Sequence, residues 1–132
     1  MLPSRCLGTA LVIAAIGTTP AAPAAEAVIV VQRSPLAGFR HYDGRDTWRD
    51  MKVGDRLQLV REPDNPYDSN AVRVDWRGVI LGYVPRRDNA AVARQMDHGA
   101  ALEARVAGLR ENRNHSVRVE FEVVVPLNVQ NH

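Results

Sequence analysis

Residues 61–74 read REPDNPYDSNAVRV, and in this stretch a loop of turn-forming residues runs directly into an alternating strand. Pro63 and Pro66 fix their own φ angles, and the Asp and Asn side chains beside them can bond to nearby backbone. A stiff loop should therefore present the aromatic Tyr67 next to the carboxylate of Asp68. Because loops carry function more often than the elements they join, we expect this loop to belong to the functional site.

Outward from the loop, alternation of apolar and polar residues predicts a small, mainly β (α+β) fold. The segments 71–76 and 79–84 should form a hairpin, and 102–109 should pair with 117–125 across a polar turn at 112–115. Further extended segments are predicted at 28–32, 38–42 and 55–62. Many short strands around one helix favour a curved, barrel-like sheet that closes on itself and so removes its edges.

One main helix is predicted over residues 86–98, and a single short helical turn over 45–51. Asp88 is expected to cap the start of the main helix, Val92 and Met96 to form its apolar stripe, and Gly99 to end it. With 132 residues, the chain has room for one domain.

The first 27 residues predict an export signal. Arg5 precedes a short apolar run at 7–16, and two Ala-x-Ala patterns follow at 22–24 and 25–27. The run is shorter than the roughly 20 residues of a membrane span, and an uncleaved anchor is the alternative. Cleavage would remove Cys6, the only cysteine. We therefore expect a periplasmic or secreted protein with a domain at 28–127, a C-terminal tail at 128–132 and no stable membrane span.

Composition narrows the class of function. Hydrophobic residues make up 45% of the chain and charged residues 24%, which suits a globular core. The net charge is only +2, but Lys52 is the single lysine among 17 basic residues. Arginine suits phosphate and stacks on bases, although arginine-rich codon usage explains the bias equally well. No phosphate loop, HExxH motif or activated nucleophile is present, so the sequence predicts a binding protein without catalytic residues, cofactor or metal site.

Three segments in order resemble the HIRAN domain, a small nucleic-acid-binding module also found at the front of helicase-like DNA repair proteins. They are AGFRHYDG at 37–44, the run from Leu57 through NPYDSNAV at 65–72, and GVILGYVP at 78–85. The Asn-Pro-Tyr-Asp-x-Asn-Ala core is the most specific of the three. The resemblance extends from Val28 to Leu127 and implies an OB-like curved sheet.

The resemblance also implies a site for single-stranded DNA or its 3′ end. A strand end offers a base face, a sugar hydroxyl and phosphates, which call for aromatics, an acceptor and cations respectively. By resemblance, His41 and Tyr67 sandwich the terminal base, and Asp68 accepts a hydrogen bond from the hydroxyl. Arg40 and Arg86 match phosphate-contacting positions.

Three further residues complete the predicted binding set: Asn65 and Tyr83, which match neighbours that line the pocket, and Tyr42 of the first matching segment. This chain departs from the family pattern in two places. His41 stands where a larger aromatic is more usual, and the turn at 112–116 lacks a further aromatic. Both departures favour weaker, phosphate-led binding.

Each candidate also has a structural alternative. Tyr67 could pack the loop onto the sheet, Asp68 could serve only to bond loop backbone, and Arg40 and Arg86 could be solvated charges. A different function is open as well, because an exported protein does not meet chromosomal DNA. The fold could serve as an envelope interaction module that binds a peptide, a glycan or an acidic polymer.

Overall fold

The structure, a computed structural model, describes residues 8, 10, 12–18 and 27–127. Most of the predicted export signal, including Cys6, and the predicted tail at 128–132 lie outside the described residues. Among the residues that are described, no helix combines the length and apolar character needed to cross a bilayer.

Six antiparallel strands form one curved sheet in the order β1-β6-β5-β2-β3-β4. The strands are β1 (Val28–Pro35), β2 (Arg56–Arg61), β3 (Val72–Trp76), β4 (Val79–Tyr83), β5 (Glu103–Glu111) and β6 (Val117–Pro126). The predicted β3–β4 hairpin and β5–β6 pairing are both confirmed. Register shifts in three of the ladders act as bulges, which increase the local twist and curve the sheet.

The sheet is not closed into a barrel, so the expected closure is wrong. Among the described residues, the two edges of the sheet are paired only by an isolated bridge between Ala37, just after β1, and Tyr83 on β4, whose N–O distances are 2.9 and 3.0 Å. Pro35, which lacks an N–H group, ends β1, and Gly38 at φ 76° turns the chain away. A 3-10 helix, Phe39–His41, follows there, so the prediction of extended structure at 38–42 is also wrong.

The helices lie where the sequence places them. The short helix α1 (Gly44–Thr47) continues into a 3-10 turn, and the main helix α2 covers Arg86–Asp97. The predicted cap is wrong, because Pro85 occupies the capping position and no side chain caps the helix. The carboxylate of Asp88 instead accepts a hydrogen bond of 2.9 Å from the buried hydroxyl of Ser34 on β1.

The core holds the two halves of the sheet and α2 together. Its most buried members are Phe121, Leu81, Val72, Val74, Val106, Val119 and Val123. From α2, Val92 and Ala93 join them. Each fully buried side chain of this size stabilises the fold by about 1.5–3 kcal/mol. The core thus provides a firm base for the loop between β2 and β3, which has little packing of its own.

Candidate functional site

One cavity of about 390 Å³ lies where the β2–β3 loop, the end of β4, the start of α2 and the segment after β1 meet. We call it the base cavity. Seven of the eight site residues predicted from the sequence line it, namely His41, Tyr42, Asn65, Tyr67, Asp68, Tyr83 and Arg86. The eighth, Arg40, lies in a neighbouring groove that shares Gly38 and His41 with the base cavity. The structure therefore brings the predicted set together, and the role of each residue in binding stays a prediction.

The loop owes its shape to consecutive turns. The backbone N–H of Asn65 donates to the carbonyl of Glu62 at 3.2 Å, that of Asp68 to Asn65 at 3.3 Å, and that of Ala71 to Asp68 at 3.1 Å. The N–H of Glu62 donates to the carbonyl of Ala71 at 3.0 Å and closes the base of the loop. This bonding makes the loop rigid without a core of its own, as its proline and Asx residues predict.

Tyr67 projects from this loop and is 83% exposed, so its ring does not pack onto the sheet. Its backbone is nevertheless held on both sides. Its N–H donates to Oδ1 of Asn65 at 2.9 Å, and its carbonyl accepts from Nη2 of Arg86 at 2.9 Å. An exposed aromatic on a fixed backbone is a ready stacking platform for a planar ligand.

Two further aromatics form the opposite part of the cavity. The rings of Tyr42 and Tyr83 lie 5.9 Å apart between centroids with an interplanar angle of 54°. The hydroxyl of Tyr83 donates to Oε1 of Glu62 at 2.8 Å. Burial and this bond to a carboxylate raise the pKa of Tyr83 to about 12, so the phenol stays protonated at neutral pH.

Glu62, which the sequence analysis missed, connects the cavity to the sheet. Its Oε1 accepts from Tyr83 and also from Nδ2 of Asn65 at 3.1 Å, while its Oε2 accepts from Arg73 at 3.1 Å. Arg73 is in turn held by Asp75 at 2.8 and 2.9 Å. Burial alone would raise the pKa of Glu62, but the bonds from Tyr83, Asn65 and Arg73 outweigh it and lower that pKa. The charged form of Glu62 therefore fixes two cavity side chains.

Asp68 is oriented by its neighbours and still reaches solvent. Its Oδ1 accepts from the N–H of Asn70 at 2.9 Å, and its Oδ2 accepts from Nδ2 of Asn89 at 2.7 Å. These two bonds, with the nearby charge of Arg86, lower the pKa of Asp68. A carboxylate has about four acceptor positions, so the 21%-exposed side chain keeps capacity for a ligand hydroxyl. The bonding of loop backbone and the acceptance of a ligand are thus compatible.

Asn89, which lines the base cavity, is a second residue of the site that the sequence analysis missed. It is 2% exposed and lies on the same face of α2 as Val92 and Ala93. A carboxamide on an otherwise apolar helix face was the available signal, because buried amides need a hydrogen-bonding partner. That partner is Asp68, so α2 positions the acceptor of the loop.

The cations at the cavity rim are open to solvent. The side chain of Arg86 is 73% exposed, and its Nε lies 3.8 Å from Oδ2 of Asp68. Arg40 and His41 are both exposed, and Nε of Arg40 donates to Nε2 of His41 at 3.2 Å. Within the described ranges, no three His, Cys, Asp or Glu side chains cluster in a way that could hold a metal ion.

Comparison with known proteins identifies the family that shares these features. The profile of the HIRAN domain matches residues 29–128. SWI/SNF-related matrix-associated actin-dependent regulator of chromatin subfamily A member 3-like 1 of Arabidopsis thaliana is 40% identical over 81 residues, which is 60% of this chain and 9% of that protein. The helicase-like transcription factor of Mus musculus is 39% identical over 70 residues, or 52% of this chain and 6% of that protein. The chain therefore spans less than a tenth of the length of these curated relatives.

Two solved structures share the architecture. A crystal structure of a protein from Lactobacillus plantarum has a TM-score of 0.61 at 29% identity, and the match covers 74% of this chain and 97% of that one. The crystal structure of the HIRAN domain of human HLTF has a TM-score of 0.58 at 25% identity, and covers 74% of this chain and 77% of that one. Sequence and structure agree over nearly all of the described domain, and the chain belongs to the HIRAN domain family.

Proposed function

We propose that this HIRAN domain binds nucleic acid, and that its preferred ligand is the 3′ end of single-stranded DNA. The observation that carries the proposal is the base cavity itself. It places an exposed aromatic, an ionised acceptor and a solvated guanidinium around one space of about 390 Å³. These are the three groups that a base face, a sugar hydroxyl and a phosphate each require.

In this proposal the terminal base stacks on Tyr67, and His41 contacts its other face. The 3′ hydroxyl donates to Asp68, which is ionised and preoriented by Asn70 and Asn89. The exposed guanidinium of Arg86 meets the adjacent phosphate. A base inside a duplex is stacked and paired, so it could enter only after unpairing, which costs a few kcal/mol.

The relatives support DNA binding in general terms. They are named as a regulator of chromatin and a helicase-like transcription factor, and this chain shares only a small part of each. The proposal therefore concerns binding by the shared domain alone, and no ATP-driven activity is attributed to this chain.

Binding of matched oligonucleotides tests the proposal. We expect the unaltered protein to bind a single strand with a free 3′ hydroxyl more tightly than the same strand with a 3′ phosphate. Asp68→Ala should abolish this preference, because only the free hydroxyl can donate to the carboxylate. Ser69→Ala, an exposed neighbour in the same loop, is the matched control and should leave the preference intact.

Two results would contradict end recognition. The first is an unaltered protein that binds both ends equally, and the second is an Asp68→Ala variant that weakens both ends by the same factor while its circular dichroism is unchanged. Generic single-strand binding would then remain. No binding at low salt would favour the alternative of an envelope module for a peptide, a glycan or an acidic polymer, since phosphate contacts are strongest there.

We further propose, from the leader at 1–27, that the mature chain is exported, so its ligand would be DNA outside the cytoplasm. N-terminal sequencing of the protein from its native host tests this. A new N-terminus after Ala24 or Ala27 is expected, and a retained Met1 would contradict export.

A further inference from the structure

A second groove, of about 550 Å³, lies beside the base cavity at the point where β1 ends. β1 pairs with β6 only as far as Pro35 opposite Glu120, and the N–H of Leu36 makes a last bond of 2.8 Å to the carbonyl of Val119. The chain then turns away at Gly38, which leaves the first residues of β6 open on this side. The early end of the sheet edge thus creates the groove.

Every charged residue that lines this groove is basic. Arg40, Arg87 and Arg118 contribute to the walls together with His41, and no carboxylate is among the described residues that line it. The remaining lining is small or apolar, including Val117 and Val119. Arg87 has a carboxylate partner in Asp88 at 3.4 Å, but the lining itself is cationic and apolar, which suits a polyanion better than a peptide of mixed charge.

The charge of Arg118 is also poorly compensated by the fold. Arg118 lies directly opposite Arg110 in the β5–β6 ladder, and like charges at this spacing destabilise a strand pair. Within residues 27–127, neither guanidinium forms an ion pair with a carboxylate, whereas Arg33 on the neighbouring strand pairs with Glu120. A bound anion would relieve this repulsion.

The groove is continuous with the base cavity, because Gly38 and His41 line both. We propose that the groove holds the phosphates of the nucleotides that lie 5′ to the terminal one, so that the strand leaves the base cavity past His41 towards Arg118. We call it the backbone groove. The inference rests on the proposed function, since it assumes that a nucleic-acid strand occupies the base cavity.

The proposal makes affinity depend on strand length. A dinucleotide fills the base cavity but does not extend along the backbone groove, whereas an eight-nucleotide strand does both. Each phosphate contact on a single strand adds about 0.7 to the slope of log affinity against log salt, which is about five-fold in affinity at 0.1 M salt. The benefit of added length should therefore come from Arg87 and Arg118.

Calorimetric titration with unlabelled strands of two and eight nucleotides tests this, with the same 3′ end on both. Arg118→Gln and Arg87→Gln should each weaken binding of the longer strand about five-fold at 0.1 M salt and leave the dinucleotide unaffected. Arg118→Lys, which keeps the charge, should retain most of the affinity. Arg94→Gln is the matched control, because it removes one exposed α2 arginine that lines neither cavity, and it should change nothing.

The outcomes separate this inference from the function on which it rests. Binding by the unaltered protein with no loss in Arg118→Gln and Arg87→Gln would overturn the backbone groove alone. Equal losses on the short and long strands would also overturn it, because the arginines would then act at the base cavity. If the unaltered protein bound neither strand, the proposed function would fail together with the inference.

Discussion

At the scale of single residues, the exposure of Tyr67 distinguishes a role in ligand binding from a role in packing. A packing residue is buried, but Tyr67 is 83% exposed and only its backbone is fixed. We predict that Tyr67→Ala weakens single-strand binding about 5- to 150-fold, the equivalent of 1–3 kcal/mol for one stacked base. Tyr67→Phe should bind like the unaltered protein. A lower melting temperature with unchanged affinity would instead assign Tyr67 to stability.

Glu62 holds two side chains of the base cavity in place, and protonation of its carboxylate should lower the stability of the domain at acidic pH. Because its folded-state pKa lies below the usual 4.5, its contribution to stability is complete above pH 4.5 and is lost as the pH falls through the lowered pKa. We predict that Glu62→Gln reduces the free energy of unfolding at pH 7 by about 1–3 kcal/mol, since it disturbs several hydrogen bonds at once. In this variant, the free energy of unfolding should also fall less steeply below pH 4.5. Part of the remaining decrease should come from Asp68, whose pKa is lowered as well.

Urea denaturation at pH 7, 5 and 3 measures both effects of Glu62→Gln. Glu103→Gln serves as the control, because Glu103 forms none of the hydrogen bonds that hold the cavity. A variant whose unfolding free energy has the same pH dependence as the unaltered protein would show that Glu62 does not titrate in this range.

The individual residues also show how much of the candidate site could be predicted from the sequence. Asn65, Tyr67, Asp68 and Tyr83 meet because they lie on one loop and the hairpin after it, whereas the segment with His41 and Tyr42 is brought to the cavity by a long-range bridge. Asn89 was missed because its partner Asp68 is 21 residues away along the chain, and Glu62 was missed because its bond to Tyr83 spans the same separation. Spacing alone does not tell which loop a helix faces. Arg40 was assigned to the correct neighbourhood but lies in the adjacent groove.

At the scale of elements, the bridge between Ala37 and Tyr83 holds the edge strand β4 against the segment that carries His41. Gly82 lies at this approach with φ 154°, and a Cβ there would meet the carbonyl oxygen of Ala37. We predict that Gly82→Ala costs about 1–3 kcal/mol of stability. Each kcal/mol should lower the melting temperature by about 4–8 °C in a domain of this size.

Gly108→Ala in β5 is the matched control for Gly82→Ala. A Cβ at Gly108 would meet only the side chain of Glu120 at 3.5 Å, an ordinary contact. Thermal unfolding of the two variants should therefore differ clearly. Equal melting temperatures would mean that the bridge between Ala37 and Tyr83 adapts to the added Cβ at little cost in stability and does not fix the base cavity.

Periodicity predicted where most strands and helices lie, but two predictions about single elements failed. Asp88 does not cap α2, because the helix begins at Arg86 with Pro85 in the capping position, and its carboxylate binds the buried hydroxyl of Ser34 on β1. Residues 38–42 are not extended because Gly38 allows a left-handed turn that starts a 3-10 helix. Closure of the barrel was not predictable either, since alternation indicates which face is buried and carries no information on whether two edges pair.

At the scale of the whole molecule, the net charge says little about DNA binding, because paired and exposed arginines lie in different parts of the surface. The formal net charge is +2. Several arginines are engaged in ion pairs on the sheet or beside α2, such as Arg73 with Asp75, Arg105 with Glu122 and Arg61 with Asp97. The cations around the two cavities are more exposed. Long-range attraction of DNA should therefore be weak, and binding should depend on a few specific phosphate contacts.

Salt titration of the intact protein counts those contacts. If three or four phosphates meet Arg40, Arg86, Arg87 and Arg118, log affinity for a single strand should fall against log salt with a slope of about −2 to −3. Stacking is not ionic, so the factor lost in Tyr67→Ala should stay constant across the titration. A slope near zero would exclude phosphate-led binding. A slope of about −5 or steeper would mean that the strand follows more of the surface than the two cavities, because each contacted phosphate adds only about 0.7.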